Sequence, residues 1–126
     1  RIIKKDNHGR VLMAGDSAHL TSPSGGMGMN GGIHDAFNLV EKLTAVCNGG
    51  DQDLLDLYTR QRQPVAYNQI LVQADKNRKR MAEKDPARRA ELLKDLQAIT
   101  ADRDRMHDYL YRSSMFSGLD EAKTIA

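Results

Sequence analysis

Apolar residues fall into two kinds of run along these 126 residues. Val11, Leu12, Met13 and Ala14 follow one another without a polar interruption, as in a strand covered on both faces. Ahead of them Asp6-Asn7-His8-Gly9 has the composition of a turn, so Arg1–Lys5 and Gly9–Ala14 read as the two arms of a hairpin. Two strands are too few for an independent sheet, and the pattern predicts an edge that further strands would have to cover. From Gly28 or Asn30 to about Val46 the period changes. Ile33, Ala36, Phe37, Val40, Leu43 and Cys47 recur at three and four, a helical stripe that reads as core. Asn48-Gly49-Gly50 stops that helix. A second helix is predicted from Asp51 to Arg80, with Leu54, Leu57, Tyr58, Val65, Asn68, Leu71 and Val72 on its inner side and Pro64 as a kink or break. Asp85-Pro86 is a cap and first-turn pair for a third helix. Leu92 or Leu93, Leu96, Ile99, Met106 and Leu110 form its inner stripe, and the run ends at Ser117-Gly118. The expected fold is mostly α with a short β-hairpin, divided into a strand-loop-helix part at 1–48 and a helical region at 49–126.

Charge and composition narrow the function classes. Lys and Arg number 19 against 17 Asp and Glu, a net +2 that is too balanced to argue for nucleic acid or a membrane. Aromatics are scarce and Trp is absent, which weakens a single-strand nucleic-acid reading based on stacking. The one cysteine, Cys47, excludes an internal disulfide and reads as a small core residue. His8, His19, His34 and His107 stand apart without companion ligands, so no metal is expected. The chain opens at Arg1 without Met, an apolar run of membrane length or a signal-peptide pattern, and is expected to be a cytoplasmic piece of something longer. Lys76-Asn77-Arg78-Lys79-Arg80 reads as the solvated end of a helix.

The chemistry concentrates between Gly9 and Leu43. There the strand exit, the loop and the first turn of the following helix are stripped of side-chain bulk in succession, which lets another molecule approach the backbone. Main-chain N–H groups near Met29, Asn30 and Gly31, with about half a positive charge at the helix start, suit an anion or electron-rich oxygens. Gly26-Met27-Gly28-Met29-Asn30-Gly31 spells the dinucleotide fingerprint, but that motif needs its first glycine directly after the strand, and no second strand with a terminal acid follows. Gly15-Asp16-Ser17 could instead deliver a serine nucleophile, with Asp104 and His107 as its orienting pair. Asp104 and His107, however, read more simply as a solvated pair on a charged helix.

A third reading takes in the whole stretch. Gly15-Asp16-Ser17-Ala18-His19, Pro23-Ser24-Gly25-Gly26-Met27-Gly28-Met29-Asn30 and Asp35-Ala36-Phe37-Asn38-Leu39 resemble the second flavin-binding motif of the FAD-dependent aromatic hydroxylases, the single-component flavoprotein monooxygenases. Ser17 stands where that motif usually has Ala, and Met27 where Gln is common. Tyr58, Arg62 and Pro64 resemble the family's Tyr-x-x-x-Arg-x-Pro scaffold element. The resemblance implies the C-terminal portion of an α/β FAD-binding fold of the glutathione-reductase type, whose N-terminal part lies outside this sequence. It implies FAD as cofactor, with Asp16 on the ribityl chain and the backbone of Gly15, Pro23, Gly25, Gly26, Gly28, Met29 and Asn30 along the flavin. It also implies NAD(P)H and O2 as co-substrates and an aromatic, phenolic ring as acceptor, and it allows a homodimer. No side chain is expected to act as a catalytic acid or base, and His19 is expected to be a packed scaffold residue. An esterase using Ser17 and a helical interaction module without activity remain open.

Overall fold

The computed structural model describes all 126 residues, Arg1–Ala126. A hairpin forms, but it is smaller and later than expected. Strand β1 is Asn7–His8 and pairs antiparallel with β2, Val11–Leu12, in the register Asn7 to Leu12 and His8 to Val11. The turn falls on Gly9-Arg10 because Gly9 takes φ +58, a conformation that suits glycine at the first central position of a two-residue hairpin. Residues 1–3 are released from the hairpin and lie beside the loop that follows it. Ile2 bridges His19, and the Ile3 N–H donates to the Ala18 carbonyl at 2.9 Å. Val11 is 60% exposed, so the apolar run is not covered on both faces within this chain.

Helix α1 spans Met27–Cys47, starting one to three residues earlier than the periodicity suggests. Its expected core stripe points the wrong way: Ile33, Ala36, Phe37, Val40 and Cys47 are exposed, Phe37 by 76%, and only Leu43 is half-buried. The buried side carries Met27, Gly31, Asp35 and Lys42 instead. That inversion follows from what the chain supplies as neighbours. Helix α2, Asp53–Val65, and the π-helical stretch Ala66–Leu71 pack on the small and polar side. Gly31 makes the approach close, since a Cβ there would sit 2.5 Å from Ile70 Cδ1.

Pro64 neither ends nor breaks the second helical run. It lacks an N–H and crowds the carbonyl one turn back, and the chain widens into the π stretch directly after it. The rod then continues as α3, Val72–Ala82. Tyr58, Val65 and Ile70 are buried as the inner side, whereas Asn68 and Val72 face solvent. The third predicted helix is three. Helix α4, Pro86–Thr100, starts as expected, with the Asp85 carboxylate accepting the Ala87 N–H. Helix α5, Arg103–Ser113, restarts because Asp102 caps the Asp104 and Arg105 amides. Helix α6, Phe116–Thr124, begins after Met115, which holds φ +69 while buried. Leu92, Leu96, Ile99 and Met106 are half-buried, and Leu93 and Leu110 are exposed.

With 19 of 126 residues buried, the apolar core is small: Met27, Ala66, Ile70 and Met115, with Ile2 against them. Polar clamps do the rest of the joining. Asn7 donates to Asp56 at 2.7 Å and accepts from Thr59 at 2.9 Å, and Gln63 donates to the Ile3 carbonyl at 2.7 Å. No helix is long and apolar enough to cross a membrane.

Candidate functional site

The strand leaves β2 through Met13 and Ala14 and turns at once in a short 3-10 turn, Gly15–Ser17. Gly15 makes the turn at φ +60 and passes so near α1 that a Cβ on it would lie 3.3 Å from the Gly32 Cα. Two glycines facing each other across this contact let the strand exit rest on the helix backbone. Two amides at the turn's entry are taken: the Ala14 N–H donates to Ser17 Oγ at 3.2 Å and the Gly15 N–H to Asp35 Oδ2 at 2.9 Å. Asp16 is therefore left exposed, with its carboxylate turned toward the start of α1.

Downstream, the Gly26 N–H donates to the Pro23 carbonyl at 3.3 Å around Gly25, whose φ of +95 is what such a turn demands at its third residue. Asn77 of α3 braces the loop by donating to the Ser24 carbonyl at 3.5 Å, and a side chain at Gly25 would collide with it. Gly26, at φ +65, caps α1 without any side-chain hydrogen bond. The amides of Met27, Gly28 and Met29 are thus the ones left without intrahelical partners. The Asn30 side chain is spent on the Gly26 carbonyl at 3.0 Å. Pro23, Gly25, Gly26, Met29 and Asn30 are all exposed around this end.

Gly28 carries the decisive geometry. A Cβ there would sit 3.0 Å from Thr21 Oγ1 and 3.4 Å from Asp16 Oδ1, so only glycine leaves a gap between those two polar side chains and the bare helix end. A carboxylate and a hydroxyl that can bind sugar-like hydroxyls lie beside amides that can meet electron-rich oxygens, and this donor and acceptor set fits the ribityl chain and ring edge of a flavin. Thr21 belongs to this cradle and has no counterpart among the residues singled out from sequence. Two clefts lie elsewhere, about 760 Å³ bordered by Lys76, Arg105 and Tyr109 and about 620 Å³ bordered by Phe37, Lys42 and Arg62. The cradle itself is an open groove.

Beneath it sits a buried charged cluster that sequence reasoning does not reveal. Asp35 is 1% exposed and lies two turns into α1, not beside its first turn. Its Oδ2 accepts from His19 Nε2 at 2.5 Å as well as from Gly15, and its Oδ1 accepts from Arg62 Nε at 2.7 Å. Burial pushes the Asp35 carboxyl up, but the His19 hydrogen bond, the Arg62 charge and the Gly15 amide together hold it below the ordinary range. Tyr58, fully buried, donates to the Met13 carbonyl at 2.8 Å and so ties α2 to the end of the strand. Burial, then the negative charge of Asp35, raises the Tyr58 hydroxyl's pKa. Asp6, 3% exposed, is pushed up to about 6 by burial and by Asp35. Burial and then Arg62 lower His34. Both ends of the hub lie inside quoted motifs, but their pairing depends on how α2 crosses α1.

His19 is thus the packed scaffold residue it was expected to be, 2% exposed. The geometry does not favour the serine-nucleophile alternative. Ser17 Oγ donates to the Ala14 carbonyl at 2.8 Å, the imidazole nearby in sequence is engaged by Asp35, and His107 is a surface residue of α5 paired loosely with Asp108 at 3.7 Å.

The model of a family described as FAD binding domain matches residues 1–75. The chain is 32% identical over 112 residues to 6-hydroxy-3-succinoylpyridine 3-monooxygenase of Pseudomonas putida, covering 87% of this chain and 28% of that protein. It is 45% identical over 82 residues to para-nitrophenol 4-monooxygenase of a Pseudomonas species, covering 64% of this chain and 20% of that protein. Among solved structures, p-nitrophenol 4-monooxygenase from Pseudomonas putida superposes with a TM-score of 0.83 at 35% identity, over 94% of this chain and 30% of that one. The chain therefore spans less than a third of the length of each of these relatives. With more than half of its length matched by the family model, the chain belongs to the FAD binding domain family of the FAD-dependent aromatic hydroxylases, and its cofactor is FAD.

Proposed function

We propose that this chain forms part of an FAD-dependent monooxygenase that hydroxylates an aromatic, phenolic substrate with O2 and NAD(P)H. The observation that carries the reading is the Asp16, Thr21 and Gly28 cradle at the uncapped start of α1. FAD, when bound, supplies the redox chemistry by taking reducing equivalents from the nicotinamide and passing them to oxygen. The chain's own residues bind and orient. Asp16 accepts hydrogen bonds from ribityl hydroxyls, and Gly25, Gly26 and Gly28 keep the loop thin enough for the ring to meet backbone. The amides of Met27, Gly28 and Met29, with the helix dipole, would favour negative charge on the part of the flavin they meet by about 0.3 to 2 kcal/mol. No side chain in the groove is assigned a proton-transfer role.

The names of the relatives support an aromatic acceptor, since two of the proteins compared are nitrophenol monooxygenases. The exposed face of Met29, Ile33, Phe37 and Val40 supports further FAD-domain residues of the same protein packing on α1, in agreement with the greater length of the relatives. The test is reconstitution of the full-length protein with FAD, followed by NADH or NADPH oxidation in the presence of a panel of phenols under isotopically labelled O2. Label in a hydroxylated ring product is the expected result. Failure to take up FAD, or label entering from water alone, refutes the proposal.

A further inference from the structure

We propose that Asp35 is the positioning residue of the flavin cradle, acting on Asp16 through the Gly15 amide. The inference rests on the reading of Asp16 as a flavin ligand. Asp35 touches no part of the open groove, yet its two carboxylate oxygens reach three separate pieces of the structure. Oδ2 takes the Gly15 N–H at 2.9 Å and His19 Nε2 at 2.5 Å, and Oδ1 takes Arg62 Nε at 2.7 Å. Gly15 immediately precedes Asp16, and its φ of +60 sets the direction in which the chain continues. The same residue rests on Gly32, where an added Cβ would lie 3.3 Å from the Cα. The strand exit is therefore fixed to α1 by one hydrogen bond and one backbone contact, and Asp16 Oδ1 arrives at Gly28 on the first turn of the same helix.

A side chain that only filled space at position 35 would leave the Gly15 amide unheld. A carboxylate with both oxygens committed fixes the amide in direction as well as distance, because charge-assisted bonds are short and orientation-dependent. Arg62 and His19 prevent Asp35 from turning: Arg62 anchors one oxygen from α2 and His19 shares the other from the loop. All three are at most 2% exposed, so water does not compete for these bonds. The Gly15 amide is the point at which the buried cluster meets the segment that carries Asp16.

The experiment is a double-mutant cycle on FAD affinity in the full-length flavoprotein, read by quenching of FAD fluorescence, with Asp16→Ala, Asp35→Asn and the pair, and with apoprotein unfolding midpoints in parallel. Asp35→Asn is expected to weaken FAD binding about tenfold in the wild-type background and less than about twofold once Asp16 is alanine, the non-additivity of residues that act as one unit. A purely structural Asp35 would cost the same factor in both backgrounds, and that result overturns the proposal. So does an Asp35→Asn protein that binds FAD as wild type does. If Asp16→Ala alone leaves FAD affinity unchanged, the reading of Asp16 falls and this inference with it. Should Asp35→Asn fail to fold, the cycle is run with Asp35→Glu, which keeps the charge beside Arg62 and displaces the acceptor from the Gly15 amide. The same non-additivity is expected there, and multiplicative losses again overturn the proposal.

Discussion

Asp6 offers a sharp test of the electrostatics beneath the loop. Its carboxyl is buried near Asp35, and burial followed by that negative neighbour pushes it from 3.8 up to about 6, with His19 and Arg62 opposing. A carboxyl whose folded value lies above its unfolded value binds protons more tightly in the native state. Its stabilising contribution is complete below about pH 4 and is lost as pH rises through 6. At about 1.36 kcal/mol for each tenfold change in proton affinity, the rise corresponds to about 3 kcal/mol. Asp6→Asn cannot ionise, so it escapes this loss. Urea unfolding of wild type and variant between pH 3.5 and about 7.5 should show a gap near zero at the acid end, opening between pH 4 and 6 to as much as about 3 kcal/mol in favour of the variant, then holding constant. Asp35 has the opposite sign and acts below 3.8, and His34, lowered by burial and Arg62, favours the fold as pH rises toward 6.5. Both are common to the two proteins and cancel in the difference. A gap independent of pH would refute the argument, because it would mean that asparagine alters packing and that ionisation of Asp6 costs nothing.

Two further expectations concern single contacts. Gly15→Ala should destabilise the fold by about 1 to 3 kcal/mol, since a Cβ is unfavourable at positive φ and here also meets the Gly32 backbone at 3.3 Å; thermal unfolding with wild-type stability would show that the exit turn relaxes freely. Arg62→Met should cost about 3 to 5 kcal/mol by leaving Asp35 buried without its cation, and pairing it with Asp35→Asn should recover most of that loss in chemical denaturation. The recovery is the informative part. Arg62 Nη2 and His19 Nδ1 are buried without partners, so the ion pair carries a desolvation cost that a neutral pair avoids.

The local devices of the fold are legible in the sequence, and the partners are not. Asp85-Pro86 opens α4 as composition predicts, and Asn48-Gly49-Gly50 ends α1, because caps and stops depend on a few adjacent residues. Asp102 could have been read as a cap by the same rule, and the break between α4 and α5 with it. The glycines of the loop announce a close approach and sit where one is possible, at Gly15, Gly25 and Gly28. The stripe of Ile33, Phe37 and Val40 misleads because periodicity identifies a face and not what covers it. Within this chain the neighbours of α1 lie on the opposite side. The hub at Asp35 is hidden for a related reason: an aspartate in the third turn of a helix looks solvated until another helix brings an arginine to it.

The placement of that hub under so bare a loop has a physical logic. Gly15 in the exit turn and Gly25 and Gly26 in the loop offer no side-chain surface by which packing could hold them. A backbone that must stay thin to admit a planar ring cannot be positioned by bulk, so it has to be positioned through its own N–H and C=O groups. Apolar residues in place of Asp35, His19 and Arg62 would bury as much area and avoid the desolvation of two charges, but they would offer the Gly15 amide no acceptor. The chain accepts a costly buried ion pair where direction matters and keeps Ile70, Ala66 and Met27 where only volume matters. Asp16, one residue beyond the held amide, is then free of structural duties and can present its carboxylate to a ligand.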